Sequence, residues 1–485
     1  MLQPPFLRAY EQSHSSAAML VIVLRFIEYR LPHFVVLDDN LYQSNNTISG
    51  YYSKRERIEK DTVAENTMPP QNQQNDNMPA ASHPETAPEL KSSQGNKYDI
   101  IPNVSEARWK EIAEKYPHFP RNLDIVAKRK EAFLRLPSFV EDWVVENMLQ
   151  DSRDAIMVSL IANILCTTVP LVVMLYKRPS HMLGAFTIAF TLFMYLQRFI
   201  LMMHYAEHRK LFKRPYHNVF QYLLSYGLCV LFGIPPGMYR LHHVVMHHIE
   251  NNVFNEDLSS TEPYQRDNFF HFLVYYYRYY THMFMLPFYA IKKARYGMAL
   301  TAFVGACLWI GLIVFGLSRH PVFTIWMGVV PGFVTGLALM FGNFSQHIFV
   351  HPSIATMPQK LKSYQFNCAL SLQSMNHFDN QYAFNDGYHV THHINSQVHW
   401  TDMPSQFLKN LEKYAENDAV VFDGLGFFDI GLHVFMGWWD SLAEHYVHFT
   451  KEKKSKEEVI AMLKVRLQPI ERSNRAIQAS DLKED

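Results

Sequence analysis

Eight histidines in three closely spaced motifs, which we call boxes, are the residues of this chain best suited to chemistry. The boxes are His204-x3-His208, His243-x3-His247-His248 and His389-x2-His392-His393. Side chains three or four residues apart share one face of a helix, so each box could direct two or three imidazole nitrogens towards a common point. Because a zinc ion takes four ligands, eight imidazoles are better explained by two metal ions. An all-imidazole set of this size favours iron that activates oxygen.

The boxes must be positioned by the apolar segments beside them. A hydrocarbon core of about 30 Å is crossed by about 20 helical residues, and four segments are long and apolar enough. We therefore predict an all-α integral membrane protein with four transmembrane helices in two hairpins, interfacial helices and a cytosolic helical cap that carries the boxes. The predicted spans are Ala155–Tyr176, Leu183–Met203, Gly297–Leu317 and Val322–Phe344.

Two further segments are nearly long enough to span the membrane, but each is interrupted. Val219–Tyr239 contains Gly233-Ile-Pro-Pro-Gly237, and Phe269–Ile291 contains the polar run Tyr275–Tyr280. If the boxes share one metal centre, the chain between successive boxes must cross the membrane an even number of times. A crossing by either segment alone would break this parity. Both segments are therefore predicted to lie in the interface, or to dip into the membrane and return.

The flanking charges predict which side the boxes face. Lysines and arginines are concentrated beside the boxes, whereas the opposite turns offer only Lys177, Arg178 and Arg319. By the positive-inside rule, the boxes and both termini face the cytosol, in the endoplasmic reticulum or another intracellular membrane. The chain has 45 basic and 45 acidic residues, so its charge does not favour a nucleic-acid partner. The bilayer is the partner that the composition indicates.

A further candidate pair, Asn343 and His347, lies at the end of the fourth predicted span. The two residues are four apart, and the parity argument places them on the same side as the boxes. His347 could complete a set of nine imidazoles, with Asn343 binding through a water or orienting a ligand ring. The remaining histidines near these motifs are interpreted as supporting or interfacial residues, and they are His242, His351 and His399.

The rest of the chain is organised around this membrane region. Residues 1–100 are predicted to be a largely disordered extension, because the run from Met68 to Gln94 is rich in Asn, Gln and Pro. Within the extension, Ala17–Leu37 is apolar but charged in places, which favours an interfacial helix. Residues 101–150 have the pattern of a cytosolic helical lead-in, 151–410 form the catalytic membrane domain, and 411–485 form a cytosolic helical tail.

Residues 150 to 410 resemble the membrane fatty acid desaturase and hydroxylase superfamily, in the three ordered boxes and the intervening Asn343-x3-His347 pair. The resemblance implies a mushroom-shaped helical membrane domain with a cytosolic cap, two irons held by histidines, and consumption of O2 with two electrons. It also implies the iron ligands, with Asn343 acting through a water. The implied histidine ligands are His204, His208, His243, His247, His248, His347, His389, His392 and His393.

Two departures from the common desaturase pattern bear on the reaction. The second box has three residues before its His pair where many desaturases have two, and the stretch Asn255–Ser260 that follows looks like the same region of bacterial alkane hydroxylases. The third box opens with His389, which resembles methyl-end and acyl-lipid desaturases. We favour an O2-dependent desaturase acting on a lipid acyl chain, with a di-iron hydroxylase of alkyl or acyl chains as the alternative.

The electrons must come from another protein. The chain has neither a His-Pro-Gly-Gly haem signature nor a GxGxxG dinucleotide fingerprint. By resemblance, the donor is a small membrane haem protein with its reductase, or a ferredoxin. Lys292, Lys293 and Arg295 could dock this donor or contact lipid headgroups. The aromatic run Phe269–Tyr280 could line a substrate channel together with the spans, or form an interfacial aromatic belt.

A different class of protein also uses membrane histidines, namely zinc-dependent hydrolases and metal transporters. In His204-Tyr-Ala-Glu-His208 the glutamate does not follow the first histidine, as it does in the zinc protease motif. A transporter would need polar residues at mid-bilayer, whereas the predicted spans hold few and the boxes lie at their ends. The sequence therefore favours oxygen chemistry over both of these functions.

Overall fold

The computed structural model describes residues 104–121, 134–360 and 362–472. The predicted disordered run and the predicted interfacial helix over Ala17–Leu37 lie outside the described residues. Two short helices precede the membrane region, namely α1 (Glu106–Lys115) and α2 (Ser138–Asn147). Ser105 accepts a hydrogen bond from the Arg108 backbone N–H, which caps the start of α1.

The first hairpin consists of α3 (Ala155–Lys177), preceded by a 3₁₀ turn (Ser152–Asp154), and α4 (His181–His208). The side chain of Ser180 accepts a hydrogen bond from the Leu183 backbone N–H, which caps α4 directly after the tight turn between the two helices. Hydroxyl pairs also join the two helices, with Thr168 Oγ1 lying 3.3 Å from Thr191 Oγ1. The last two turns of α4 carry the first box.

The chain between the two hairpins is built from short helical pieces followed by one long helix. α5 (His217–Tyr222) runs into a π-helical turn (Leu223–Gly227) and a 3₁₀ turn (Leu228–Phe232). After Gly233 come α6 (Met238–Arg240), a π-helical segment (Leu241–His247), α7 (His248–Glu250) and the long α8 (Phe269–Lys292). His243 and His247 of the second box therefore lie on π-helical backbone, and His248 follows directly at the start of α7.

The second hairpin consists of α9 (Tyr296–Arg319) and a composite helix made of α10 (Pro321–Thr324), a π-helical turn (Ile325–Val329) and α11 (Val330–Gln346). Four helical stretches are long and apolar enough to cross a membrane, which confirms the four predicted spans. In the structure these stretches are Ser152–Lys177, His181–His208, Tyr296–Arg319 and Pro321–Gln346.

Neither interrupted segment is among the apolar spans found in the described residues. The first is broken at Gly233, where φ is +70° and a Cβ would lie 2.2 Å from the backbone nitrogen of Gly332. Only glycine fits this close approach of the two backbone segments. The second segment forms α8, whose two ends both contact the side of the molecule that carries the boxes. There the Tyr275 hydroxyl accepts a hydrogen bond from Asn343, and the Tyr289 hydroxyl donates one to Glu250.

Beyond the second hairpin, short helices surround a two-stranded parallel sheet. The strands β1 (Leu372–Met375) and β2 (Val420–Asp423) pair with Leu372 opposite Val420, and β1 is buried along its length. The helices before β2 are α12 (Tyr364–Leu370), α13 (Asp379–Tyr382), α14 (His389–Ile394), α15 (Met403–Lys409) and α16 (Leu411–Glu416). Those after it are α17 (Phe427–Met436), α18 (Trp439–His445) and α19 (Lys456–Val465).

Residues beyond 410 pack back onto the membrane helices. The ring of Phe435 on α17 stacks on Phe341 and Phe344 of α11, with centroids 6.0 Å apart in both pairs. β2 also completes the sheet with β1, which immediately follows α12. The sequence analysis did not predict this sheet, because its strands are only four residues long and lie far apart in the chain.

Candidate metal centre

All nine histidines singled out from the sequence converge in two adjacent groups. Within each group, every residue offers a ligand nitrogen that lies within 4.8 Å of the others. The five-histidine group comprises His204, His208, His243, His248 and His392. The four-histidine group comprises His247, His347, His389 and His393. The boxes therefore meet on one side of the molecule, as the parity argument required.

The spacing of the ring nitrogens fits a metal ion in each group. Imidazole nitrogens bind a metal such as zinc at about 2.0–2.1 Å, so neighbouring ligand nitrogens at right angles lie roughly 3 Å apart. In the five-histidine group, His248 Nε2 lies 3.0 Å from the Nε2 atoms of both His243 and His392. In the four-histidine group, His389 Nε2 lies 3.1 Å from His347 Nε2 and 3.0 Å from His393 Nε2.

Two buried nitrogens provide a second test of this fit. The Nε2 atoms of His208 and His247 have no hydrogen-bond partner among the described residues. Buried polar atoms are rarely left unpaired, and a missing ion is one of the common reasons. One of these atoms belongs to each group, so both groups fit a metal ion.

Backbone geometry decides which group each histidine joins. His204 and His208 of α4 are four apart and share one group, as do His389 and His393 of α14, which follows from α-helical periodicity. The second box behaves differently because it lies on a π-helix, in which the backbone N–H of His248 reaches the carbonyl of His243. This places His243 and His248 together, five residues apart, and sends His247 to the other group. The expectation that each box serves one common point was thus wrong for the second box, and also for the third, whose His392 joins the five-histidine group.

Strong acceptors lie behind two of the four rings in the four-histidine group. His247 Nδ1 lies 2.7 Å from Asp257 Oδ2, and His347 Nδ1 lies 2.9 Å from the Leu370 carbonyl oxygen. Asp257 is held in turn by the Ser259 hydroxyl at 2.6 Å and the Asn252 backbone N–H at 2.9 Å. Such contacts fix the tautomer of a histidine, so that Nε2 is left free to bind a metal.

Electrostatics at Asp257 agree with this role. Burial by itself would raise the pKa of the carboxyl group, but His247 and the hydrogen bonds from Ser259 bring the pKa below its ordinary value. Asp257 is therefore an anion that accepts a hydrogen bond from His247 Nδ1. No pattern in the sequence distinguishes Asp257 from the other polar residues of Asn255–Ser260, so its role is visible only in the fold.

The five-histidine group has weaker support behind its rings. The closest carboxylate is Asp386, whose Oδ1 lies 3.6 Å from His204 Nδ1. Its other oxygen accepts a hydrogen bond of 2.6 Å from Gln346 Nε2. Burial raises the pKa of Asp386 to about 7. The sequence analysis missed Asp386, although it lies three residues before the third box.

Burial also sets the protonation state of five ligand rings outside the spans. It lowers the pKa of five box histidines well below the ordinary value, with a further contribution from the neighbouring imidazoles. Neutral imidazole is the form that binds a metal. The rings concerned are His243, His248, His389, His392 and His393.

Asn343 borders the four-histidine group through a small polar network. Its Nδ2 donates to the Tyr275 hydroxyl at 2.7 Å and to the Ser259 carbonyl at 3.2 Å. The Tyr275 hydroxyl also donates to the Ser259 carbonyl, at 3.2 Å. These bonds use the amide nitrogen of Asn343 and leave its oxygen as the atom that could accept from a metal-bound water. Tyr275 belongs to the aromatic run whose role the sequence left open.

Other buried contacts hold the helices that carry the boxes. The side chain of Gln373 on β1 accepts from the backbone N–H of Val390 at 3.1 Å and donates to Thr391 at 3.0 Å, which fixes the start of α14. Lys293 forms ion pairs of 2.9 Å with both Glu250 and Glu256.

The remaining basic residues considered for docking have similar contacts. Lys292 pairs with Glu256 at 2.9 Å, and Arg295 donates to the Val245 carbonyl at 3.0 Å. These contacts tie the end of α8 to the second-box segment, which is a structural role that the sequence analysis did not assign to them.

A cavity of about 730 Å³ borders both groups. His204 and His243 of the five-histidine group line it, together with His247 and His389 of the four-histidine group. Apolar side chains from α4, α9, α11 and α17 form much of the rest of the wall, among them Leu196, Trp309, Leu339 and Phe428. A ligand in this cavity would lie directly beside both candidate metal sites.

The three histidines left over from the boxes belong to neither group. His242 lies 3.2 Å from His282, His351 caps a short 3₁₀ helix through Ser353, and His399 contacts Asp154 at 3.1 Å. His242 nevertheless lines the cavity.

Comparison with known proteins places this site in a family. A family model described as fatty acid desaturase matches residues 179–425, which is just over half of the chain. The matched range contains all nine histidines, Asn343 and three of the four apolar spans. No curated protein and no solved structure matches the chain significantly. Taken with the two histidine groups beside a single cavity, the match establishes that the chain belongs to the fatty acid desaturase family.

Proposed function

We propose that this chain is an O2-dependent di-iron desaturase that inserts a double bond into a lipid acyl chain. One iron would be held by the five-histidine group and the other by the four-histidine group, with Asn343 acting through a water. The observation that carries the proposal is the arrangement of nine imidazoles as two groups beside one mostly apolar cavity. When bound, the iron pair supplies the O2-derived oxidising power that removes hydrogen from an unactivated methylene.

The contribution of the chain itself is positioning. Most of the cavity wall is apolar, so it would hold an acyl chain by burying its methylenes and would help to exclude water from the reacting carbons. Removal of a second hydrogen from the neighbouring carbon gives an alkene. The side chains that fix the depth of the substrate therefore decide which carbons react.

Hydroxylation is a second candidate because of the segment that supports His247. Asp257 and Ser259 belong to the acidic, serine-containing stretch that resembles the one in alkane hydroxylases, and both hydrogen-bond beside the four-histidine group. In that reaction, oxygen would return to the first carbon radical and give an alcohol. Small shifts in substrate position separate the two outcomes.

We also propose that the side of the molecule with the histidine groups faces the cytosol, in the endoplasmic reticulum or another intracellular membrane. The basic residues concentrated on that side support this orientation through the positive-inside rule. Electrons would come from a separate cytosol-facing haem protein with its reductase, or from a ferredoxin. Protease protection or glycosylation mapping of tagged loops would test the orientation, and glycosylation of the loop between α3 and α4 is the expected outcome.

The function is tested by expressing the chain in a host whose lipids can be profiled. The wild type should add new double bonds to acyl chains and purify with two irons per chain. His392→Ala should abolish the new products, whereas His351→Ala, which changes a histidine outside both groups, should keep them. New hydroxyl groups in place of double bonds would select the alternative reaction. One zinc per chain and no new lipid would overturn both.

A further inference from the structure

A second pair of histidines lies in the cavity and is not used by either metal group. His282 on α8 is 4 % exposed, and its Nδ1 lies 3.2 Å from His242 Nε2. The two rings are nearly parallel, with centroids 5.3 Å apart. Both residues line the cavity beside Tyr279, Met283 and Trp309. This histidine pair therefore gives the mostly apolar cavity a polar place outside the two metal groups.

The second nitrogen of His282 is buried without a partner. No hydrogen bond to His282 Nε2 is formed by any of the described residues. The Leu258 carbonyl lies close enough to act on the ring, but it does not reach hydrogen-bond geometry. A buried polar atom without a partner is unfavourable, so a site of this kind is normally completed by a ligand or a water.

The tautomer of the pair decides whether this nitrogen donates or accepts. Because His242 Nε2 and His282 Nδ1 lie 3.2 Å apart, one of them donates and the other accepts. If His242 donates to His282 Nδ1, the proton of the His282 ring is on Nε2 and this atom donates. If His282 Nδ1 donates instead, Nε2 is an acceptor.

A hydroxyl group fits His282 in both cases. It can accept from a protonated Nε2, or donate to a bare one, whereas a ketone or ester oxygen can only accept. In the first case, the hydroxyl hydrogen could also be donated to the nearby Leu258 carbonyl. A plain methylene chain would leave Nε2 unpaired in either case.

We propose that His282 hydrogen-bonds a hydroxyl group of the lipid substrate, so that the enzyme prefers a hydroxylated chain to its deoxy counterpart. The inference rests on the proposed function, because it assigns the substrate class of the same cavity. The hydroxyl would lie on the side of the cavity formed by α8 and the second box. Hydroxylated fatty acyl chains and long-chain amino alcohols are two kinds of lipid that carry such a group on or next to a long chain.

The test supplies matched substrates to the full-length protein in membranes with its electron donor. Each pair differs by one hydroxyl, and one series uses fatty acids while the other uses long-chain amino alcohols. We expect the wild type to convert the hydroxylated member of one series roughly tenfold faster, and the series identifies the source of the hydroxyl. Equal rates for both members of every pair would overturn the inference but leave the proposed function standing. No conversion in any series would overturn both.

Variants show whether His282 provides the discrimination. His282→Phe keeps an aromatic ring but removes both ring nitrogens. The ratio of the rates with the hydroxylated and deoxy chains should therefore fall to about one. His282→Gln restores a side-chain donor and acceptor and should recover part of the preference. Phe284→Leu, on the outward face of the same helix, should behave like the wild type, since Phe284 is 55 % exposed.

Iron content separates this role from a structural one. His282→Phe should keep two irons per chain, because His282 belongs to neither metal group. If His282→Phe loses iron, the ratio of the rates with hydroxylated and deoxy substrates, measured with His282→Gln, decides between substrate binding and a structural role. An unchanged preference in both His282 variants would overturn the inference.

Discussion

The five-histidine group and the four-histidine group use the same kind of ligand but are held in different ways. All four members of the smaller group are buried, whereas His243 and His248 of the larger group are half-buried. Behind the smaller group, His247 and His347 each have an acceptor within 2.9 Å. Behind the larger group, the closest carboxylate oxygen is 3.6 Å from His204.

This difference suggests two ways to build a metal site from imidazoles. The four-histidine group gains its precision from two oriented rings, because the hydrogen bonds at Nδ1 of His247 and His347 fix both tautomer and direction. The five-histidine group relies on the number of ligands. A site with a ligand to spare tolerates the loss of one, whereas an oriented site without a spare does not.

The largest effect that follows is on iron content when one ligand is removed from each group. His347→Ala should leave three ligands and lower iron to about one per chain, while His208→Ala should leave four ligands and keep iron near two. Activity should fall by at least about 100-fold in His347→Ala. Removing a residue that supports a ligand costs about 10- to 100-fold in metal affinity or activity, and removing the ligand itself should cost more. Metal analysis and lipid profiling measure both effects. Equal loss of iron in the two variants would contradict the comparison.

The next effect concerns the carboxylate behind His247. Asp257→Asn should lower metal affinity or activity by about 10- to 100-fold, because the anion that accepts from His247 and from Ser259 is replaced by a neutral amide. Competition with a chelator measures the affinity. Asp267→Asn, which changes a half-buried aspartate outside the site, is the matched control. An affinity equal to that of the wild type would show that orientation by Asp257 is unimportant.

Much of this site could be predicted from the sequence, because ligand spacing on α-helices is regular. The pairs His204 with His208 and His389 with His393 each share a group, as residues four apart on an α-helix should. The four spans were also predictable, since length and apolar composition define them.

The division of the second box could not be predicted in the same way. His243 and His247 are also four apart, but the π-helical backbone separates them and pairs His243 with His248. The approach of Asp257 to His247 depends on Asn251 and Asn252, which have φ values of +47° and +63° and turn the chain back. Local patterns in the sequence do not specify either feature, because tertiary packing selects them.

A smaller effect is expected from the carboxylate behind the five-histidine group. Asp386→Asn should lower metal affinity by less than about tenfold, because the oxygen that faces His204 is 3.6 Å away and an amide oxygen can replace it. Chelator competition under the conditions used for Asp257→Asn gives a direct comparison. If Asp386→Asn proved as damaging as Asp257→Asn, the two groups would depend equally on their supporting carboxylates, and the distinction between them would fail.

The smallest effect should come from Tyr275, which supports Asn343 rather than a histidine. In Tyr275→Phe, Asn343 Nδ2 loses the hydroxyl at 2.7 Å but keeps the Ser259 carbonyl at 3.2 Å, so activity should fall only about threefold. Tyr277→Phe is the control, since Tyr277 is 71 % exposed on the outward face of α8. A loss as large as that of Asp257→Asn would mean that the water-linked position of Asn343 is as important as the oriented histidines. The geometry of the four-histidine group would then depend on the whole network of its polar neighbours, and not on any single hydrogen bond to a ligand ring.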